Sequence, residues 1–274
     1  MLKHYTHRMT LPQPLVNLYS YIKQCLKPRG NNELHTCDAW PTEALVQDAI
    51  VFVPESVQVP AGIEYVTVAG WKLCRNSLPR NIEWYNEETK EVEFTASRDP
   101  LYRRLIPPPE ESVNHVKIIT SIIEALDGHL DKTYVEYGVS TGISLEPVAA
   151  LVRQAYGVDA REYKPKRSNI SFHQCYTDAF SFSTLPKLTF QYAFIDADHS
   201  SRQVIEDFKH VFEHIQPGGY IFMHDTYPCE QRLLLPHYCN DCYLSPLYIK
   251  KEYAGRVELM TLPLNPGVTI VRKL

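Results

Sequence analysis

Apolar residues along the chain follow two periods, and their order predicts the architecture. Residues 11–27 place Leu15, Leu18, Tyr19, Ile22 and Leu26 at helical spacing, with Pro12 and Pro14 near the start and Pro28-Arg-Gly30 as the stop. This amphipathic helix can pack on its own domain, act as a lid or form a homodimer contact. Residues 48–53 form an apolar run short enough for a buried strand, and residues 63–68, 82–85 and 92–95 alternate as strands do. A helix followed by a small β-rich accessory unit is therefore expected over residues 1–106. Pro107-Pro108-Pro109 then cannot continue a helix or a sheet ladder, so residues 107–111 read as a linker.

From residue 112 the pattern changes to alternating strands and helices. A helix opened by Ser112 carries Val113, Val116, Ile119, Ile122, Ile123 and Leu126 on one face and is closed by Asp127-Gly128. A strand at 133–137, rich in aromatic and β-branched residues, runs into a turn with Gly138 and Gly142. Val148, Leu151, Val152 and Ala155 then suggest a crossover helix, with Pro147 in its first turn. A second strand ends at Asp159, a third closes at Asp178, and a fourth spans 191–195. A helix over 200–215 has Val204, Ile205, Phe208, Val211, Phe212 and Ile215 on one face and ends at Pro217-Gly-Gly219. Two strands, 256–262 and 267–271, finish the chain, so residues 112–274 read as a doubly wound α/β domain. No internal repeat is found.

Composition narrows the function classes. With 28 basic and 32 acidic residues and a formal net charge of −4, no overall field draws the chain to a polyanion, so nucleic acid is not expected as a partner. At 44% hydrophobic residues, 274 residues can bury a substantial core. No stretch approaches the ~20 apolar residues of a membrane span, and the first residues are not of signal-peptide type. Seven cysteines form an odd set without a small-domain disulfide framework. The expectation is a soluble, cytoplasmic protein with no membrane partner.

The strand-turn-helix around Gly138 leaves bare backbone amides facing whatever sits above it. Glu136 lies at the carboxyl end of the strand, where open α/β sheets place ligands, and can accept hydrogen bonds from an ammonium or hydroxyl group. An acid there disfavours a pyrophosphate. Asp159 follows Gly142 by 17 residues, a spacing that lets a carboxylate reach ribose hydroxyls.

These residues carry a resemblance. Glu136-x-Gly138-x-x-x-Gly142, Asp159, Asp178, Phe194-Ile-Asp-Ala-Asp-His199 and Pro217-Gly-Gly-Tyr-Ile-Phe-Met-His-Asp225 resemble the ordered motifs of class I S-adenosylmethionine-dependent methyltransferases. The similarity is greatest to the branch of sugar and small-molecule O-methyltransferases of macrocin and cephalosporin pathways. It covers residues 112–274, and departs from the family where Ser140 stands for the middle glycine of the turn. It implies a mostly parallel, seven-stranded Rossmann-like sheet. It also implies S-adenosylmethionine as cofactor, with Glu136, Gly138, Ser140 and Gly142 at the methionine end and Asp159 at the ribose. Asp178, with Ala179 or Phe180, is implied at the adenine edge, and Asp196 beside the cofactor. The implied reaction is O-methylation of a small-molecule acceptor, a sugar or glycan.

An alcohol is too weakly acidic to ionise unaided at neutral pH, so a base or a metal beside the methyl group is expected. His199 follows the acidic tip of the fourth strand, where catechol-type relatives carry a lysine, and is the candidate base. Asp198 can raise its basicity or serve as a ligand in place of Asp196. Asp196, His224 and Asp225 match the three places where metal-dependent relatives hold a divalent ion, here magnesium or manganese. The alternative is that these side chains orient the acceptor without metal. Cys229, His237, Cys239 and Cys242 have a spacing that can close a zinc site or leave plain thiols. Tyr227, Tyr238, Tyr243 and Tyr248 can stack on an acceptor or belong to the core. Arg98, Arg103 and Arg104 around Tyr102 can meet an anionic acceptor or form a solvated face. Two other functions stay open. One is a catalytically silent cofactor-binding protein. The other is a NAD-dependent oxidoreductase, although Gly-x-x-x-Gly is not the dinucleotide turn.

Overall fold

The structure is a computed structural model that describes residues 11–25, 35–36, 50–75, 82–85, 92–94, 114–185, 189–228, 231–234, 238–262 and 266–274. Its helices and strands, in chain order, are α1 (Gln13–Cys25), β1 (His35–Thr36), β2 (Ile50–Pro54), β3 (Glu64–Val68), β4 (Trp71–Arg75), β5 (Ile82–Tyr85) and β6 (Val92–Phe94). There follow α2 (His115–Ala125), β7 (Thr133–Tyr137), α3 (Leu145–Ala149), β8 (Gln154–Asp159), β9 (Ile170–Gln174) and β10 (Phe190–Ile195). The chain ends with α4 (Ser201–His214), β11 (Ile215–His224), α5 (Leu244–Glu252), β12 (Val257–Leu262) and β13 (Val268–Lys273).

The last seven strands form one sheet in the order β12-β13-β11-β10-β7-β8-β9. All pair in parallel except β13, which runs antiparallel to both neighbours. The sheet is thus a mostly parallel, seven-stranded Rossmann-like one, as the motif order implies. Strand order reverses between β7 and β10, and at such a switch point the loops above the strand ends diverge and leave a crevice. Parallel strands covered on both faces must be apolar on both, and β7 is buried along all five residues.

α1, α2 and α4 form where the periodicity puts them, except that Ile215, expected on the α4 face, opens β11, and Pro217-Gly-Gly219 lies inside that strand rather than ending the helix. Asn114 caps α2 by accepting from the Lys117 amide at 3.1 Å, and Ile118, Ile119, Ile122 and Ile123 are buried. Residues 112 and 113 lie outside the described ones. In α4 the Ser200 hydroxyl accepts from the Gln203 amide, and Val204, Phe208, Val211 and Phe212 are buried, each contributing about 1.5–3 kcal/mol.

Two further expectations are corrected. The crossover helix ends at Ala149, and Ala155 belongs to β8, paired with Tyr134 and Ile170. The Arg153 amide donates to the Lys132 carbonyl at 2.9 Å, which turns the chain into the strand before another helical turn can form. Val148, Val152 and Ala155 are buried all the same, so a helix face and a turn into a buried strand read alike. The third strand ends at Gln174, and Asp178 lies beyond it in a turn closed by Phe180 N–H donating to the Tyr176 carbonyl at 3.1 Å.

The N-terminal residues are fastened to this sheet. Strands order β1-β2-β4-β3, and β5 pairs with β6 separately. β4 and β1 escaped the pattern reading. Ala69 (φ 51°) and Gly70 (φ 80°) form a two-residue hairpin turn into β4 of the kind usually marked by Asn-Gly. Leu15, Leu18 and Ile22 of α1 are buried in one core with α2, and Phe52, Val66, Trp71 and Leu73 share it with Met260, Leu262 and Ile270. Glu258 of β12 accepts from the Thr67 amide (2.7 Å) and hydroxyl (2.9 Å), and Arg75 donates to the Thr261 carbonyl at 2.8 Å. The apolar face of α1 therefore packs on its own chain. The Pro107–Pro109 linker and the arginines around Tyr102 lie outside the described residues.

Candidate active site

A cavity of about 830 Å3 opens above the carboxyl ends of β7, β8, β10 and β11. Its wall begins at the glycine turn. Gly138 has φ +88°, and a Cβ there would lie well inside contact of the Asp196 and Ala197 backbone, so only glycine lets the ends of β7 and β10 come so close. The Gly138 amide donates to the Val158 carbonyl at 2.9 Å, and the Asp196 amide to the Tyr137 carbonyl at 2.8 Å. At Gly142 a Cβ would meet the Tyr163 ring. Ser140 takes a left-handed conformation (φ 48°) without a glycine's freedom, and its amide donates to Asp159 Oδ2 at 2.7 Å. Asp159 Oδ1 accepts from the Arg161 amide at 2.8 Å, which fixes the carboxylate at the cavity edge.

Gly138, Ser140, Asp159, Asp178, Asp196, Asp198, His199, His224 and Asp225 all line this cavity. Glu136, Gly142 and Ala179 do not. Glu136 is fully buried below the turn, with Oε2 accepting from Tyr134 Oη at 2.5 Å and Oε1 from Ser144 Oγ at 2.6 Å. Burial pushes its pKa up to about 8, although both hydroxyl donors work the other way. Asp178 and Ala179 are exposed. Arg161, Tyr176, Thr177 and Gln203 also line the wall and carried no motif in the sequence; Tyr176, 73% exposed, is the only large aromatic among them.

The acid-rich end gathers around Asp225, itself in a left-handed conformation (φ 57°). Asp196, His199 and Asp225 each offer a ligand atom, and these lie within 4.8 Å of one another. His199 Nε2 is 3.1 Å from Asp225 Oδ2 and 3.8 Å from Asp196 Oδ1. Nδ1 of the same ring faces the Tyr238 carbonyl. A carbonyl only accepts, so Nδ1 carries a proton and Nε2 turns either a lone pair or a second proton toward two carboxylates. Two carboxylates and an imidazole at this spacing can hold a divalent cation, and the donor set is chemically of the kind that takes manganese or magnesium.

His224, expected as the third ligand, lies beside the same two acids. Its Nδ1 lies 3.2 Å from Asp196 Oδ1 and 3.5 Å from Asp225 Oδ1, an ion pair behind the two acids. Burial, the largest single influence, pulls its pKa down, but the two carboxylates together outweigh it and raise it to about 10. Burial works upward on Asp225, and the His224 hydrogen bond and charge, with His199, bring it below its usual value. Asp198 turns away from His199: its Oδ1 accepts from the Ser200 amide (2.7 Å) and hydroxyl (2.5 Å) at the start of α4.

Below the site, Cys239 Sγ is 3.4 Å from Asp225 Oδ1, and Cys242 donates to the His224 carbonyl at 3.3 Å. Cys229 and His237 lie outside the described residues. Tyr227 and Tyr243 are buried, Tyr248 packs partly buried on the core with Lys209 over its ring, and Tyr238 is 47% exposed. No helix among the described residues is long and apolar enough to cross a membrane.

No match was found among curated proteins. Several solved structures share a distant likeness. An SAH-bound methyltransferase from Podospora anserina is 16% identical, covering 70% of this chain and 98% of its own, with a TM-score of 0.45. An O-methyltransferase from Bacillus cereus in complex with SAH is 16% identical over 62% of this chain and 86% of its own, at 0.44. An rRNA methylase from Streptococcus thermophilus is 16% identical over 56% and 91%, at 0.40. Residues 135–226, a segment shorter than half the chain, match a family model described as "Methyltransferase domain". That segment holds the glycine turn, Asp159 and all the acids and histidines of the cavity, so the part of the chain that builds the site is the part similar to a methyltransferase domain.

Proposed function

We propose that the protein is an S-adenosylmethionine-dependent O-methyltransferase acting on a hydroxyl of a small acceptor, a sugar or glycan, with a divalent ion at Asp196, His199 and Asp225. The observation that carries this reading is the convergence in one cavity of a glycine turn, a ribose-spaced carboxylate and an acid–imidazole cluster. The fit of the donor rests on Gly138, whose lack of a Cβ lets the ends of β7 and β10 meet at the cavity wall, and on Asp159, whose oxygens keep lone pairs for hydroxyl donors beyond the two amides they hold. When bound, S-adenosylmethionine supplies a sulfonium methyl as electrophile. A divalent ion supplies Lewis acidity that makes the acceptor hydroxyl easier to ionise.

The chain's own residues do the positioning. The Tyr238 carbonyl fixes the His199 tautomer, and His224 pairs with Asp196 and Asp225 and helps hold the Asp225 carboxyl below its usual pKa. The walls of the cavity hold methyl and oxygen in line, which contributes more to rate than any single contact. A second reading uses His199 as a metal-free base, supported by its 3.1 Å approach to Asp225. In the neutral ring that pair needs the proton on Nε2, which turns the Nδ1 lone pair on the Tyr238 carbonyl, so the metal reading fits better.

The test is incubation with isotopically labelled methyl donor and a panel of sugars and other hydroxyl compounds, with and without EDTA. Transfer that is lost in chelator and rescued by manganese supports the reading. Full transfer in chelator leaves His199 as the base, and no transfer to any hydroxyl sinks the O-methyltransferase assignment.

A further inference from the structure

A second cavity, of about 410 Å3, lies beside the first, and His224 lines both. Its other walls are His115, Val116 and Lys117 from the first turn of α2, with Ile143 and Pro266. The rings of His115 and His224 stand 4.4 Å apart, and His115 stacks on Phe194 at 5.3 Å. His224 spends Nδ1 on Asp196 and Asp225. Among the described residues, the buried Nε2 atoms of His115 and His224 have no hydrogen-bond partner. Buried polar atoms are nearly always paired, and two orphans on adjacent rings beside one cavity point to a ligand that completes them.

We propose that this cavity is the acceptor site, and that a ring-borne hydroxyl sits against the Nε2 atoms of His115 and His224 with the apolar face of its ring on Val116, Ile143 and Pro266. The inference rests on the methyl-transfer reading above and adds where the acceptor binds. His224 turns Nδ1 to Asp196 and Asp225, so Nε2 lies on the opposite edge of the ring and the hydroxyl held there anchors the acceptor rather than reacting. Because His224 lines both cavities, an acceptor anchored there lies next to the donor cavity and reaches toward it with a second hydroxyl. Lys117 at the rim, with its Nζ 5.4 Å from the Tyr21 ring centre, adds a positive edge but no contact to the hydroxyl. A phenol and a pyranose both present such a ring and hydroxyl.

The test uses protein labelled with 13C at its histidine rings and loaded with S-adenosylhomocysteine, titrated in separate arms with phenol and with methyl glucoside. The expected result is a saturable shift of the His115 and His224 ring signals by at least one probe, with the responding arm naming the source. His115→Ala should weaken that probe about tenfold, the size of one lost buried hydrogen bond, while the affinity for S-adenosylhomocysteine is unchanged. Val116→Trp should abolish the response by filling the cavity. Signals that stay still in both arms, or a response that survives in Val116→Trp, overturn the acceptor site while the donor reading stands. Failure of S-adenosylhomocysteine to bind in calorimetry brings down the donor reading and the acceptor site with it.

Discussion

His199 Nε2 lies 3.1 Å from Asp225 Oδ2 while the opposite nitrogen of the ring faces the Tyr238 carbonyl. This contact turns Nε2 of the imidazole toward two carboxylates, the place proposed for a divalent ion. Manganese at a hundredfold excess over its Kd should therefore stabilise the protein by about 2.7 kcal/mol, or about 5–10 °C in Tm for a chain of this size. His199→Ala and Asp225→Asn should each remove the shift, as read by thermal denaturation with and without manganese. An unchanged shift in both variants places the ion elsewhere.

Asp159 is held by the Ser140 and Arg161 amides at the edge of the donor cavity. Asp159→Ala should weaken S-adenosylhomocysteine about 10–100-fold, the loss of one hydrogen bond to a charged group. Titration calorimetry on the variant measures it, and wild-type affinity would remove Asp159 from the binding site.

The two glycines of the turn should respond unequally. In Gly138→Ala the new methyl meets backbone of Asp196 and Ala197, which cannot move without breaking the sheet end, so a loss of roughly 3–5 kcal/mol is expected. In Gly142→Ala it meets the Tyr163 side chain, which can swing away from Glu146 at the cost of one hydrogen bond. That variant should lose roughly 1–3 kcal/mol. Urea denaturation orders the two, and a more damaging Gly142 substitution contradicts the packing described.

Glu136 is buried between Tyr134 and Ser144, and burial raises its pKa to about 8. A carboxyl whose folded pKa lies above its unfolded value of 4.5 contributes stability that is present below that value and lost as pH rises toward 8. Glu136→Gln keeps the shape without the charge, so the variant should gain on the wild type as pH is raised from about 5 to about 8, by on the order of a few kcal/mol. Melting curves across that range decide it, and a constant difference would mean that Glu136 is not buried as described.

Much of the domain was legible because each strand end carries a residue that the turn above it demands. Gly138, Asp159 and Asp196 announce three adjacent strand tips, and the 3.6 period of Val204, Phe208, Val211 and Phe212 announces α4. What stayed hidden was decided across the fold. No local pattern says that His224 would turn Nδ1 to both acids while His199 joins them, since that choice depends on the Tyr238 carbonyl, 39 residues away. Glu136 reads as a ligand-facing acid from its strand position, yet strand alternation puts it beside Tyr134 and under Ser144. β4 was missed because Ala69-Gly70 is an unusual hairpin turn. The docking of the accessory strands through Thr67 and Glu258 spans 191 residues and leaves no local signature.

The central claim is that the crevice at the β7–β10 switch point holds a sulfonium-bearing nucleoside, and calorimetric titration with S-adenosylhomocysteine, run beside NADH, tests it most directly. Saturable binding of one S-adenosylhomocysteine per chain with no heat from NADH is the predicted result. Binding of NADH, or silence toward S-adenosylhomocysteine, would contradict it.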